Sequence, residues 1–330
     1  MSVQLSELLG LHQAQADQTT HLIVAWALGS GPEAVQALEA LPASSTGHLR
    51  ELLRGMHLCE RYEGTAESLN PPHERAWGKQ LGWDPLPDGL LPWAARCAPQ
   101  AGSHAWAWVS LCHWDVGREH ASLSDPQSLD ISPDESQALW QDIRPYFESE
   151  GIQLHPARPG HWLGKGEIFS QPSASLDRVL ARNVDPWLPA GPEARLLRRL
   201  QNEMQMLLYT HPVNQSRSER GQLPINSLWF SGSGRLPESH SEPSGIHLTR
   251  QLASAALTAD APAYAQAWAR LDEAFFAPLL RRQSQGQTVE LTLCGERGWL
   301  RLQSVSGRGL RRLVQRWTGP TWPALLKENL

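Results

Sequence analysis

Three stretches gather side chains able to do chemistry. The densest is His211-Pro212-Val213-Asn214, followed by Arg217 and Arg220. A guanidinium fork grips phosphate or carboxylate through paired donors, and imidazole and carboxamide groups orient the same oxygens. His211, Asn214, Arg217 and, further on, Asn226 therefore read as the wall of a site for an anionic ligand. They read equally as a buried network in which Asn214 and Asn226 satisfy backbone groups. The second stretch is His73-Glu74-Arg75. A histidine there suits nucleophilic or general-base work, with Arg75 beside it for an anion. Its plainer role is to start a helix, with His73 paired to solvent or to Glu74. In the third, His113 and Asp115 share one face of an extended strand and His120 follows. Such a group can hold a metal or a phosphate, or can be the solvated face of a hairpin. Arg178 and Arg182 add positive charge near Asp177 and Asp185, with which they can equally pair.

These residues need elements to position them. Leu196, Leu197, Leu200, Met204, Leu207 and Leu208 recur at helical spacing, and Pro212 stops that helix. HPVNQSRSERGQLP has loop composition. Ile225 to Phe230 is a β-prone run into Ser231-Gly232-Ser233-Gly234, and a strand ending in small residues lets a backbone or ligand come close. Earlier, His21 to Leu28 is a continuous apolar run, predicted as a buried strand. Helical patterns cover Leu38 to Met56, Asn70 to Pro85 after a turn, and Pro92 to Ala98. Ala105 to Leu111 is predicted as a strand leading into a hairpin. Ser132-Pro133-Asp134-Glu135 starts a helix that Gly151 ends, and a second hairpin spans IQLHP to HWLGKG. Residues 235–245 have linker composition. Leu248 to Leu257 and Ala263 to Leu280 are predicted helical, Thr288 to Cys294 and Trp299 to Val305 as strands. Residues 1–20 read as a short helix or arm, and 309–330 as a basic amphipathic end.

The formal charge of -5 and a pI near 6.2 argue against nucleic-acid binding by bulk electrostatics. The basic clusters at Arg195/Arg198/Arg199 and Arg308/Arg311/Arg312 fit solvated helix faces. Four scattered cysteines without a CxxC pair speak against metal knuckles and a disulfide framework, and fit a reduced cytoplasm. The N-terminus lacks signal-peptide character, and no apolar run is long enough to cross a bilayer. Strands alternating with helices imply an α/β core.

The run from His211 to Gly234 resembles a segment of the archaeal-type cofactor-independent phosphoglycerate mutases, of the alkaline phosphatase superfamily. The shared pattern is His211-Pro212-Val213-Asn214, Arg217, Gly221, Pro224-Ile225-Asn226, Trp229 and Gly232-Ser233-Gly234. Pro71-Pro72-His73-Glu74-Arg75-Ala76 and Leu81-Gly82-Trp83-Asp84-Pro85 are similar to a Pro-Gly-Ser-Asp-x-Ala and a Leu-Gly-Tyr-Asp-Pro of that family. The whole chain also resembles the proteobacterial RpfE-type family, proteins described as regulatory or mutase-like.

The resemblance implies an α/β, alkaline-phosphatase-like core sheet flanked by helices, from residues 1–103 and 236–330, with an inserted α+β lid and ligand-wall segment at 104–235. It also implies two divalent metals held by Asp and His and a Ser or Thr nucleophile. This chain departs at each point. The first strand ends Ala27-Leu28-Gly29, the nucleophile position is His73, and the Asp-His pair is replaced by Cys294-Gly295-Glu296. The leading expectation is a silenced enzyme without cofactor. It would bind a small phosphorylated or carboxylated ligand through His211, Asn214, Arg217, Asn226, Arg75, His113 and Asp115, or a partner protein, in a regulatory role. The alternatives are an active mutase or phosphohydrolase using Mn or Zn with His73 as nucleophile, and a pure interaction protein using the tryptophan-rich surface and basic C-terminal segment.

Overall fold

The computed structural model describes residues 18–28, 36, 38–118, 120–238, 243–305 and 320–326. They divide into two compact units. One holds 18–82 with 243–326 and the other 83–238. The sequence reading set these divisions at 103/104 and 235/236. The readings of 1–17 and of most of 309–330 lie outside the described residues.

In the first unit, strands β1 (His21–Val24), β2 (Met56–Glu63), β9 (Ile246–Thr249), β10 (Glu290–Cys294) and β11 (Gly298–Ser304) form a mixed sheet ordered β2-β11-β10-β1-β9. β1 lies inside the sheet, parallel to both its neighbours β9 and β10, with Ile23 opposite Leu248 and Thr292. A strand flanked on both sides and buried on both faces is largely apolar, as Leu22, Ile23 and Val24 are, and it ends at Val24 rather than at Leu28 as predicted. β11 runs antiparallel to β10 and β2. Leu22, Val24, Leu291, Leu293, Leu300 and Leu302 form one core with Leu49, Leu52 and Leu53 of helix α1 (Gly47–Arg54) and with helices from the 253–284 region. Helix α2 (Pro72–Gln80) packs across β1, β10 and β11. The unit is thus α/β with a mixed central sheet and flanking helices.

One expectation fails here and one strand goes unforeseen, for the same reason. Leu248 and Thr249, expected at the start of a helix running to Leu257, belong to a strand paired with β1, and only Ala253–Leu257 is helical. Met56–Glu63, for which no element was predicted beyond Met56, forms an edge strand whose exposed, charged face hides its strand character. Pairing partners far away in sequence settle both, and no local pattern reports them.

In the second unit, β3 (Ala105–Cys112), β6 (Gln153–Arg158), β7 (His161–Lys165) and β8 (Ser227–Arg235) form an antiparallel sheet ordered β6-β7-β3-β8. β4 (Trp114–Val116) and β5 (Ala121–Leu123) make a separate hairpin. Helix α4 (Pro133–Ser149) begins in a full capping box: Ser132 Oγ accepts from Glu135 N–H at 3.2 Å, and Glu135 accepts from Ser132 N–H at 3.0 Å. Its chain turn at Gly151 has φ +75°, and α6 (Arg195–Tyr209) packs beside it. Leu139, Ile143, Phe147, Leu200, Met204 and Leu208 meet Val109, Leu228 and Phe230 of the sheet in one core.

The polar loop after α6 is a correction. Pro212–Glu219 is helix α7, with His211 as its N-cap. Pro212 ends one helix and starts the next, because proline at the first helical position lacks only an N–H that would be unpaired anyway. The Ser-Gly-Ser-Gly run is a second correction. It does not end the strand: β8 continues through it to Arg235.

Candidate functional site

The predicted ligand wall can be read atom by atom. His211 Nδ1 accepts from Val213 N–H at 3.1 Å, so the ring nitrogen facing Asp142 carries the proton and donates at 3.0 Å. Asn214 donates to Leu208 O at 2.8 Å and Ile225 O at 2.6 Å, and accepts from Ile225 N–H at 2.7 Å. Asn226 makes the equivalent clamp on Trp114, accepting from its N–H at 2.7 Å and donating to its carbonyl at 2.8 Å. Arg217 is buried. It donates through Nε to Leu223 O, through Nη1 to Glu135 at 2.9 Å and through Nη2 to Leu129 O. Arg220 reaches the other Glu135 oxygen at 2.6 Å.

The carboxylate that completes the α4 capping box is therefore also the counter-ion of α7. The four wall residues are brought together by α6, α7 and β8, and the hydrogen bonds just described all go to the protein itself. These are the donors and acceptors an anion would need. His113 joins the same network, with Nδ1 donating to Pro224 O at 2.8 Å, while Asp115 and His120 are exposed on the hairpin. Asp177 and Arg178 are buried in a short helix, Leu176–Val179, which Ser175 caps at Asp177 N–H.

His73, Glu74 and Arg75 lie in the first turn of α2, in the other unit. There the carboxyl ends of three parallel strands come together. Ala25 N–H donates to Thr249 O at 3.0 Å and Ala27 N–H to Cys294 O at 2.7 Å. In open α/β sheets this edge is where ligands bind. Trp26 sits there with φ +61°, a left-handed conformation unusual for a bulky side chain, and the Tyr264 hydroxyl donates to its carbonyl at 2.6 Å. The Trp26 ring lies 5.9 Å from the His73 imidazole. His73 and Glu74 are both buried, and Asn70 donates to Glu74 at 3.1 Å. A helix N-terminus with a buried imidazole and carboxylate, set at the ends of parallel strands, suits an anion or a proton-transfer step.

Two divalent ions do not fit these donors. β1 delivers Ala25, Trp26 and Ala27 to the edge. β10 delivers Cys294, a buried thiol, and sulfur is a soft donor where the hard oxygen and imidazole ligands of a two-metal site would be needed. Among the described residues of this unit, His73, Glu74 and Glu296 remain at that edge, too few oxygen and imidazole ligands for a pair of ions. Elsewhere in this unit His48, Asp272 and Glu273 bring three ligand atoms within 4.8 Å of one another, a group that was not anticipated. His48 and Asp272 stand 224 residues apart in the chain, which left no signal to find them by.

No protein-family profile matches the chain. It is 28% identical over 186 residues to the 2,3-bisphosphoglycerate-independent phosphoglycerate mutase of Methanosarcina mazei, covering 52% of this chain and 44% of that one. It is 38% identical over 168 residues to a probable enzyme of the same name from Geobacter sulfurreducens, covering 49% and 41%. The chain thus spans less than half the length of the curated relatives it matches. A solved cofactor-independent phosphoglycerate mutase from Thermoplasma acidophilum is similar over 94% of this chain and 99% of that one, at 12% identity and a TM-score of 0.36.

Proposed function

We propose that this is a phosphoglycerate-mutase-like protein of the RpfE type, on an alkaline-phosphatase-like core from 1–103 and 236–330 with an inserted α+β lid segment at 104–235. It has lost metal-dependent phosphotransfer and serves a regulatory role by binding a small phosphorylated or carboxylated ligand. One observation carries the reading: the parallel strand ends and the α2 N-terminus form a ligand edge, yet Ala25, Trp26, Ala27 and Cys294 occupy the places where hard ligands would be needed. The partial likeness to phosphoglycerate mutases supplies the ligand class. Recognition falls to His73 and Arg75 in the first turn of α2, where a helix N-terminus favours an anion beside the parallel strand ends.

The test is calorimetric titration with 3-phosphoglycerate in the presence of EDTA, beside a turnover assay with Mn²⁺. The expected result is binding that His73→Ala and Arg75→Ala weaken, with no conversion to 2-phosphoglycerate. Mn²⁺-dependent turnover would overturn it. If that turnover also vanished in His73→Ala and a phosphohistidine were trapped, the active-enzyme alternative would take its place. Its basis is the position of His73 at a helix N-terminus, where a phosphoryl group is stabilised.

A further inference from the structure

The helical layer of unit 18–82/243–326 contains a side-chain cluster that the ligand edge does not use. Asp272 opens a π-helical turn, Asp272–Phe276, and its carboxylate is buried. Two backbone groups of α1 hold it: His48 N–H donates to Oδ2 at 3.0 Å and Leu49 N–H to Oδ1 at 2.9 Å. The His48 imidazole meets the same carboxylate, with Nδ1 at 2.9 Å from Oδ2. Glu273, the next residue, brings Oε1 to 3.9 Å from that nitrogen. The side chains of His48 and Glu273 are 38% and 77% exposed, so solvent reaches two of the three ligands.

We propose that His48, Asp272 and Glu273 form a site for a single divalent transition ion of the zinc class. The donor types fit, since imidazole nitrogen and carboxylate oxygen both bind zinc at about 2.0–2.2 Å. Tetrahedral bonds of that length set neighbouring ligand atoms roughly 3.3–3.6 Å apart. The observed 2.9 and 3.9 Å lie on either side of that separation, and the exposed Glu273 is free to adjust. Binding needs no net loss of a proton. The neutral imidazole shifts its hydrogen from Nδ1 to Nε2, and the freed Nδ1 lone pair goes to the metal in place of its bond to Asp272. The backbone N–H groups of His48 and Leu49 keep the carboxylate oriented, the outer-shell role that such donors play around metal ligands. Water completes the fourth position.

The competing view is that Asp272 only caps α1. Capping explains the backbone bonds, and zinc binding separates the two. The full chain is titrated with Zn²⁺ against a chromophoric chelator, for wild type, His48→Gln and Glu273→Gln. Asp272 is left intact because its loss would uncap α1. The expected result is one ion per chain, an affinity at least tenfold weaker in each variant, and unchanged melting of the metal-free Glu273→Gln protein. No zinc taken from the chelator, or equal affinity in all three proteins, would overturn it. Failure of the ligand reading above is separable, because it concerns phosphoglycerate binding with metal removed.

Discussion

Arg217 shows at single-residue scale how one side chain supports two readings until its partners are known. Arginine between asparagines is what an anion site requires, and it is also what a buried brace requires. The difference lies in Glu135, 82 residues away, which the sequence gives no reason to place opposite Arg217. Removing the guanidinium would leave Glu135 with Arg220 and the Ser132 N–H and would strand the carbonyls of Leu129 and Leu223. Arg217→Ala is therefore expected to destabilise the protein by about 3 kcal/mol in urea unfolding, the usual cost of breaking a buried pair. Phosphoglycerate affinity of the folded fraction should be unchanged. A variant of wild-type stability with lost affinity would restore Arg217 to a ligand wall. His73 was legible as a chemical residue because it begins a helix after Pro-Pro. Its neighbour Trp26 was not, because a left-handed φ at the end of a buried strand leaves no mark on HLIVAWAL.

Elements were legible where the signal is local and illegible where pairing decides. The α4 start depends on Ser132 and Glu135, three positions apart, and it is present as expected. Helix α7 was hidden because Pro212 carries the same weight as a stop and as a start. β9 was hidden because four residues acquire strand character only beside β1. The glycines of β8 belong to this scale. Their spacing was legible, but the strand end expected at them is not there, since β8 runs on to Arg235. Gly232 has φ +62°, and a Cβ there would stand 3.1 Å from the Trp93 Cβ and 3.3 Å from the Trp108 ring. The strand thus runs close under the helix Trp93–Cys97, and the glycines are there for backbone approach. Gly232→Ala combines left-handed strain with crowding and should cost 1–3 kcal/mol, roughly. Thermal melting measures it, and a melting point equal to wild type would remove the packing argument.

At the scale of the whole molecule, three histidines tie stability to pH, and they are shared between the units. His21 donates or accepts with Thr292 Oγ1 at 2.8 Å and lies 3.7 Å from Glu290, which with Glu60 brackets Arg301 on the sheet. His247 stacks on Phe275 with ring centres 4.7 Å apart. His161, in the other unit, bonds Ser110 at 2.9 Å. Burial pushes the pKa of each down to about 4, against the nearby Glu290 carboxylate in the case of His21 and with added help from Arg158 in that of His161. The unfolded chain takes up these protons near pH 6.5, whereas the folded protein refuses them until pH 4. Their contribution is therefore intact above pH 6.5 and is lost as the pH falls from 6.5 towards 4. At pH 5 the loss is about 2 kcal/mol for each histidine, by 1.36 kcal/mol per unit. Acidic residues other than strongly paired ones titrate mostly below that window, so the fall between pH 6.5 and 4.5 belongs chiefly to histidine. Urea unfolding across that interval should show stability decreasing steadily with acid. His161→Gln, which still offers Ser110 a hydrogen-bond partner, should flatten the fall for unit 83–238 and leave that of the other unit in place. A flat profile in the wild-type protein would mean that these rings are protonated while folded, and the apolar surroundings assigned to them would have to be withdrawn.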